Sequence, residues 1–234
     1  MIDNLYRPMN PYYYSCWQYR WDRYASSGIK VVAEPLVEPV SVDDAAMHLR
    51  IDGYGSPLEY PEQSWIEATI VAAREVVEGL SGLALAQQTM ELGIGQFPWG
   101  YYAASQISLR TSPVQWIESV IYTDSDGVEQ TVDPANYSLD NYGRPALLYP
   151  SMNASWPTSG TVPNAVRVRF IAGYTLAGAS PDDLPLPKSL RHAILLMIGH
   201  LYENRENTTA LSLVEIPMGL EYLIERYKIR TGMA

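Results

Sequence analysis

The chain has 234 residues and one cysteine, Cys16, so no disulfide can close within it. A reducing compartment is expected, and Cys16 lacks the placed histidine partner that a thiol nucleophile needs. Phenylalanine occurs twice and histidine three times. Charged residues make up 18%, below the usual quarter or so. Cations are the scarcer kind, 16 Lys and Arg against 26 Asp and Glu, for a net charge of −10. A phosphate-gripping surface needs clustered cations, so a general DNA binder is excluded. The longest strongly apolar run, AILLMIG at 193–199, is far short of the roughly 20 residues that span a bilayer. The opening MIDNLYRPMNPYYY has neither a basic start nor an apolar core, and does not read as a signal peptide. HExxH, GxSxG, GxxxxGK[ST], GxGxxG and paired CxxC are all missing.

What is abundant is tyrosine, 18 residues, with six tryptophans. Both side chains join an apolar body to a polar tip and suit half-buried contacts between subunits. Eight of them fall in the first 24 residues. The block NPYYYSCWQYRWDRY (10–24) fits neither a 3.6 nor a 2.0 period, and EPLVEP (34–39) favours extended backbone. Residues 1–40 therefore read as an extended arm that must lie on another surface. Disordered segments are usually poor in aromatics.

Charge is uneven along the chain. Residues 41–140 hold fifteen acids against three bases, residues 141–234 seven against nine, and residues 1–40 four of each.

A first helix is expected from Ser41, which caps SVDDAAMHLRI with Asp43 and Asp44 in the first turn. His48 near its end reads as a structural histidine. A second helix covers PEQSWIEATIVAAREVVEGLSG (61–82), with Pro61 at its start and Ser64–Glu67 at capping-box spacing. Ile66, Ile70, Ala73, Val77 and Leu80 share its inner face, Glu67, Glu75 and Glu78 a solvated one, and Gly79 or Gly82 ends it. From 86 to 176 short alternating runs separated by turn signals predict strands, with a hairpin tip at Asp124–Gly127. Asp124 and Asp126 there lack the ligand spacing of a calcium loop and read as turn residues. After the loop LAGASPDDLPLP (176–187), KSLRHAILLMIGHLYENRE (188–206) is a nearly all-round apolar, central helix, and PMGLEYLIERYKIR (217–230) a last one.

His200, Glu203 and Glu206 lie one turn apart on that central helix and could suggest a metal or acid–base site. A di-metal bundle needs further His–carboxylate pairs, which are missing. The polar end of a buried helix explains them better. No catalytic residue, metal or cofactor is expected, and the chain reads as a non-enzyme. The pattern predicts an α+β chain, helical at 41–85 and 184–230 and rich in strands at 86–176. An aromatic carbohydrate- or ligand-binding module, with FPWGYY (97–102) stacking sugars, is the alternative reading.

Six pieces in order carry a resemblance. They are PVSVDDAAMHLRID (39–52), WIEATIVAAREVVEGLSGLALAQQTMEL (65–92), SPVQWIESVIYTDSDGVEQTVDPANYSLD (112–140), VRVRFIAGYT (166–175), LPLPKSLRHAILLMIGHLYENRE (184–206) and IPMGLEYLIERYKIR (216–230). Together they resemble the tailed-phage head–tail connector proteins, or head-completion adaptors, and the related adaptors of gene transfer agents. The resemblance implies a helical bundle of 41–85 and 184–230 with an inserted β-rich, sandwich- or barrel-like subdomain at 86–176, in a virion protein assembled in the bacterial host cytoplasm. About a dozen copies would form a ring beneath the portal protein. That ring would meet tail or stopper proteins and let double-stranded DNA pass without sequence recognition. It implies no catalytic residue, cofactor or membrane contact. The arm has no counterpart in the family pattern. Candidates for portal or subunit contact are Tyr12, Tyr13, Tyr14, Trp17 and Trp21 on the arm, and Tyr222, Arg226, Tyr227 and Arg230 at the last helix.

Overall fold

The computed structural model describes residues 28–51, 62–98, 105–175, 184–205 and 218–229. Tyr12, Tyr13, Tyr14, Cys16, Trp17, Trp21, Glu206, Arg230 and most of the 176–187 loop lie outside the described residues.

The first helix, α1 (Val42–Leu49), starts where the sequence placed it. Ser41 Oγ accepts the Asp44 N–H at 3.1 Å, and the Asp44 carboxylate accepts the Ser41 N–H in return. The second, α2 (Gln63–Ser81), begins differently. Its N-cap is Glu62, no side chain caps it, and Ser64 lies inside the helix, so the expected Ser64–Glu67 box does not form. It ends at Gly82 with φ +74, the left-handed conformation a non-glycine residue avoids. The central helix α3 (Lys188–Glu203) and the last helix α4 (Met218–Glu225) complete the set. Arg226 and Lys228 fall just beyond α4 rather than in its last turn.

The strands are β1 (Gly28–Ala33), β2 (Gln88–Ile94), β3 (Ile107–Ser108), β4 (Val114–Thr123), β5 (Glu129–Thr131), β6 (Tyr137–Asp140), β7 (Leu147–Pro150) and β8 (Val166–Ala172). They form a five-stranded sheet, order β1-β2-β8-β4-β5, and a three-stranded one, order β3-β7-β6. All named strand pairs are antiparallel. Strict alternation in β8 buries Val166, Val168, Phe170 and Ala172 and turns Arg167, Arg169 and Ile171 to the other face. The fold is α+β, as expected.

Residues 28–33 belong to the stretch the sequence offered only as extended arm. In the structure they are the edge strand β1, paired with β2 some sixty positions later.

Two apolar clusters meet between helices and sheets. One gathers Ile66, Ile70, Ala73 and Val77 of α2, Leu190, Ala193, Ile194, Met197 and Ile198 of α3, and Leu220 and Ile224 of α4. The other lies among the strands, with Leu92, Val120, Leu148, Val168 and Phe170 at its centre. Backbone hydrogen bonds tie the segments at the joint, Ala84 N–H to Ser112 O at 3.0 Å and Gly173 N–H to Pro113 O at 2.9 Å, while Ile229 N–H to Ser81 O at 2.8 Å ties the last helix to α2.

Candidate interaction surface

The end of α3 holds a latch. Tyr202 meets the Trp65 ring edge-on at 5.2 Å, and the Arg205 guanidinium lies 4.2 Å from the Trp65 ring centre and 4.3 Å from that of Tyr202. Arg205 also clasps Glu62, with Nη1 to Oε1 at 3.1 Å, and the Tyr202 hydroxyl donates to Glu62 at 3.2 Å. Arg205 is the cause of the Glu62 carboxyl titrating below its ordinary range. The polar end of α3 thus closes the start of α2. His200 is half-buried, and its carbonyl accepts the N–H and side-chain amide of Asn204. Among the described residues no group of three or more His, Cys, Asp or Glu is placed to hold a metal. His48 packs edge-on at 6.5 Å from His192 and beside Gly199. Burial, and then His192, hold its pKa below the ordinary value.

Arg74 is the charge the sequence did not single out. Its side chain is 2% exposed on α2. Nε donates to Glu38 at 2.8 Å and Nη1 to Glu78 at 2.7 Å. Glu78 in turn accepts the Leu85 N–H at 2.7 Å and the Gln88 amide at 3.1 Å. Glu78 is therefore no part of a solvated face: this corrects the sequence reading. An inner-facing arginine one turn before it draws it in. Burial pushes the Glu78 carboxyl up, against the pull of Leu85 N–H and Arg74, while burial of Arg74 is outweighed by Glu78 and Glu38.

The same pairing runs through the molecule. Six acids of the 41–140 stretch, Asp44, Glu62, Glu75, Glu78, Glu91 and Glu129, stand within ion-pair distance of a base, and five of the six bases come from outside that stretch. Lys30 and Arg169 flank Glu91 at 2.7 and 2.9 Å, and Arg191 meets Asp44. Folding thus mixes charges that the sequence keeps apart, and the free acidic excess is smaller than −12 suggests.

Four carboxyls among the described residues titrate low. Asp44 is lowered chiefly by Ser41, Glu62 by Arg205, Glu91 despite its burial by Lys30 and Arg169, and Asp124 by the Val128 N–H and the Gln130 amide. A depressed folded-state pKa gives stability that is complete above the unfolded value and lost as pH falls through the folded one. Glu78, raised, works in the opposite sense and gives a slight gain on mild acidification. The melting temperature should therefore stay nearly level from pH 7 to about 5, because His48, held below its ordinary value, loses stability over the range where Glu78 gains it, and should drop below about 4. Calorimetry across that range checks it. A midpoint still climbing at the acid end would contradict these pairings.

Of the sequence-predicted contact residues at the last helix, Tyr222 is 86% exposed and Arg226 exposed. Tyr227 is half-buried, reached by the Ser189 hydroxyl at 3.4 Å and with Arg144 5.2 Å above its ring. Phe97 of the sugar-stacking candidate FPWGYY is buried. It stacks on Trp156 at 5.0 Å and meets Tyr122 edge-on, so its ring is not offered to a ligand.

A groove of about 740 Å3 lies at the end of β1. Its floor crosses the outer face of the sheet along one row: Ala33 opposite Thr89, Thr89 opposite Ile171, Ile171 opposite Trp116. Leu36 and Val37 form one wall, Tyr174 and Leu186 the other. Leu36 is 99% and Trp116 51% exposed. Tyr and Trp content in the sequence hinted at such a surface but could not locate it, because strands far apart in sequence assemble the row.

The chain is α+β, and its most developed features among the described residues are a latch, ion pairs and an apolar groove. Comparison with known proteins places it more closely. The family model described as phage gp6-like head-tail connector protein matches residues 164–228. A chain in the virion of a native gene transfer agent particle is similar at 25% identity and TM-score 0.66, over 88% of this chain and 97% of that one. A chain in the neck of an empty gene transfer agent particle, computed with C6 symmetry, has the same identity and coverage at TM-score 0.67. A third, from the neck of a native particle computed with C12 symmetry, shares the fold at 23% identity and TM-score 0.54, over 86% of this chain and 97% of that one. Among curated proteins none matches significantly. The resemblance to head–tail connectors read in the sequence is borne out, and these neighbours come from the virion or the neck of a gene transfer agent particle.

Proposed function

We propose that this chain is a structural adaptor of a phage or phage-like particle. It assembles as a ring beneath the portal, joins head to tail and extends the channel through which DNA passes. The observation that carries this is its likeness, over nearly the whole length of the other chain, to a neck component of a gene transfer agent particle. The two apolar clusters support a helical bundle with an inserted β-rich subdomain, the bundle packing subunit against subunit. The exposed Tyr222 and Arg226 beside α4 suit contact with the portal or a neighbour. A net-acidic ring would repel the phosphate backbone mildly, so that the duplex slides.

The test is to mix the purified chain with its portal protein and measure the mass of the product by sedimentation. A complex of one portal with a full complement of adaptor copies is expected. Chains that remain single at every ratio would overturn the proposal.

A further inference from the structure

We infer that the groove at the end of β1 receives the aromatic block of residues 10–24 from a neighbouring copy. This rests on the ring proposed above and assigns its subunit contact.

The groove is the wrong shape for a finished surface. Trp116 stands half-exposed beside Ile171 on its floor, and Leu36 and Val37 offer two more apolar side chains to water. Next to it runs β1, which among the described residues pairs only with β2. Every residue of β1 is exposed, Ile29, Val31 and Val32 among them. The other edge of the sheet is short, polar β5, Glu129–Thr131, which discourages pairing. One edge is blunted and the other open, so the open edge with its adjoining groove suits an added extended segment.

The chain itself carries a segment of the right chemistry. Residues 10–24 hold seven Tyr and Trp, with Arg20 and Arg23 against Asp22. Rings of that kind fill an apolar groove while their polar tips stay wet. Arg20 and Arg23 complement Glu34 at the groove wall, whose side chain is 73% exposed and lies 3.8 Å from Arg74, while the groove's own Arg191 is paired with Asp44. A donor segment and an acceptor groove at different places on identical copies make a head-to-tail contact. Such contacts close rings, whereas self-complementary ones make pairs.

Cys16 sits inside the donor block and is the only cysteine, so it reports the contact directly. One chain keeps Cys16. A second carries Cys16→Ser with Leu36→Cys, a change at a fully exposed position. The two are mixed, assembled with portal and oxidised. A disulfide between the two different chains is expected. Trp116→Lys in the Leu36→Cys chain should cut its yield by about tenfold, as loss of an aromatic anchor does, whereas the same substitution in the Cys16 chain should not. A third chain carrying both thiols identifies self-docking. A link within that chain, with none in the mixture, overturns the inference. Rings that form without any Cys16 link overturn it too, and leave the adaptor reading standing. Absence of rings removes both.

Discussion

Replacing Arg74 by alanine is expected to lower stability by about 3–5 kcal/mol, the usual cost of leaving buried partners of a charge uncompensated. The arginine holds three parts of the chain together. Glu38 belongs to the segment that runs on from β1, Glu78 is one turn along α2, and through Glu78 the cluster reaches the Leu85 N–H and Gln88 at the start of β2. Without the guanidinium, Glu78 keeps two donors but loses its counter-charge in a site where burial already pushes its pKa up. It would take up a proton, and Glu38 would lose its tether. Residues 34–37, which wall the groove, would loosen with it. Urea unfolding checks this, and a loss under about 1 kcal/mol would show that the cluster is solvated like a surface pair. Converting all three groups to uncharged residues of similar size, Arg74→Met with Glu38→Gln and Glu78→Gln, should cost less than Arg74→Ala alone.

The second large effect is expected at Gly173, where β8 hands over to the helices. Its φ of +113 is closed to ordinary side chains, and a Cβ there would stand 1.9 Å from the Ala86 carbonyl oxygen. The Ala86 oxygen is backbone and cannot swing aside. Gly173 also donates its N–H to Pro113 at 2.9 Å and accepts the Gln115 amide at 2.7 Å, so moving it breaks the joint between the two cores. Gly173→Ala should cost about 3 kcal/mol or more, strain and overpacking together. Soluble yield and unfolding midpoint would both fall. Gly79→Ala is the control. It lies within α2 with nothing near its Cα, and alanine there should stabilise by about 0.5–1 kcal/mol. Equal effects at the two glycines would mean that the joint is not tight.

Local chemistry was readable in the sequence, and distant pairing was not. The Ser41–Asp44 box needs four consecutive residues, and it forms. The Asp124 turn is likewise local: its carboxylate accepts the N–H groups of Asp126 and Val128. The strands of 88–172 followed from alternation between turn signals. The edge strand β1 did not, because its partner lies beyond α2 and its exposed residues carry no buried pattern. Helix α2 misled at its start, where Ser64 had the right spacing but the N-cap is Glu62, two residues earlier and tied to Arg205. Glu78 was misplaced for the same reason: its burial depends on an arginine beside it and a strand start beyond it. The groove gathers residues of four strands, several connecting segments and Arg191 of α3, which no window of sequence contains.

The adaptor assignment is tested most directly by a cryo-EM map of the full-length chain bound to its portal. A closed ring coaxial with the portal is expected, the helices packed subunit to subunit and an open channel along the axis. A single copy bound off-axis, or a chain that leaves the portal bare, would contradict it.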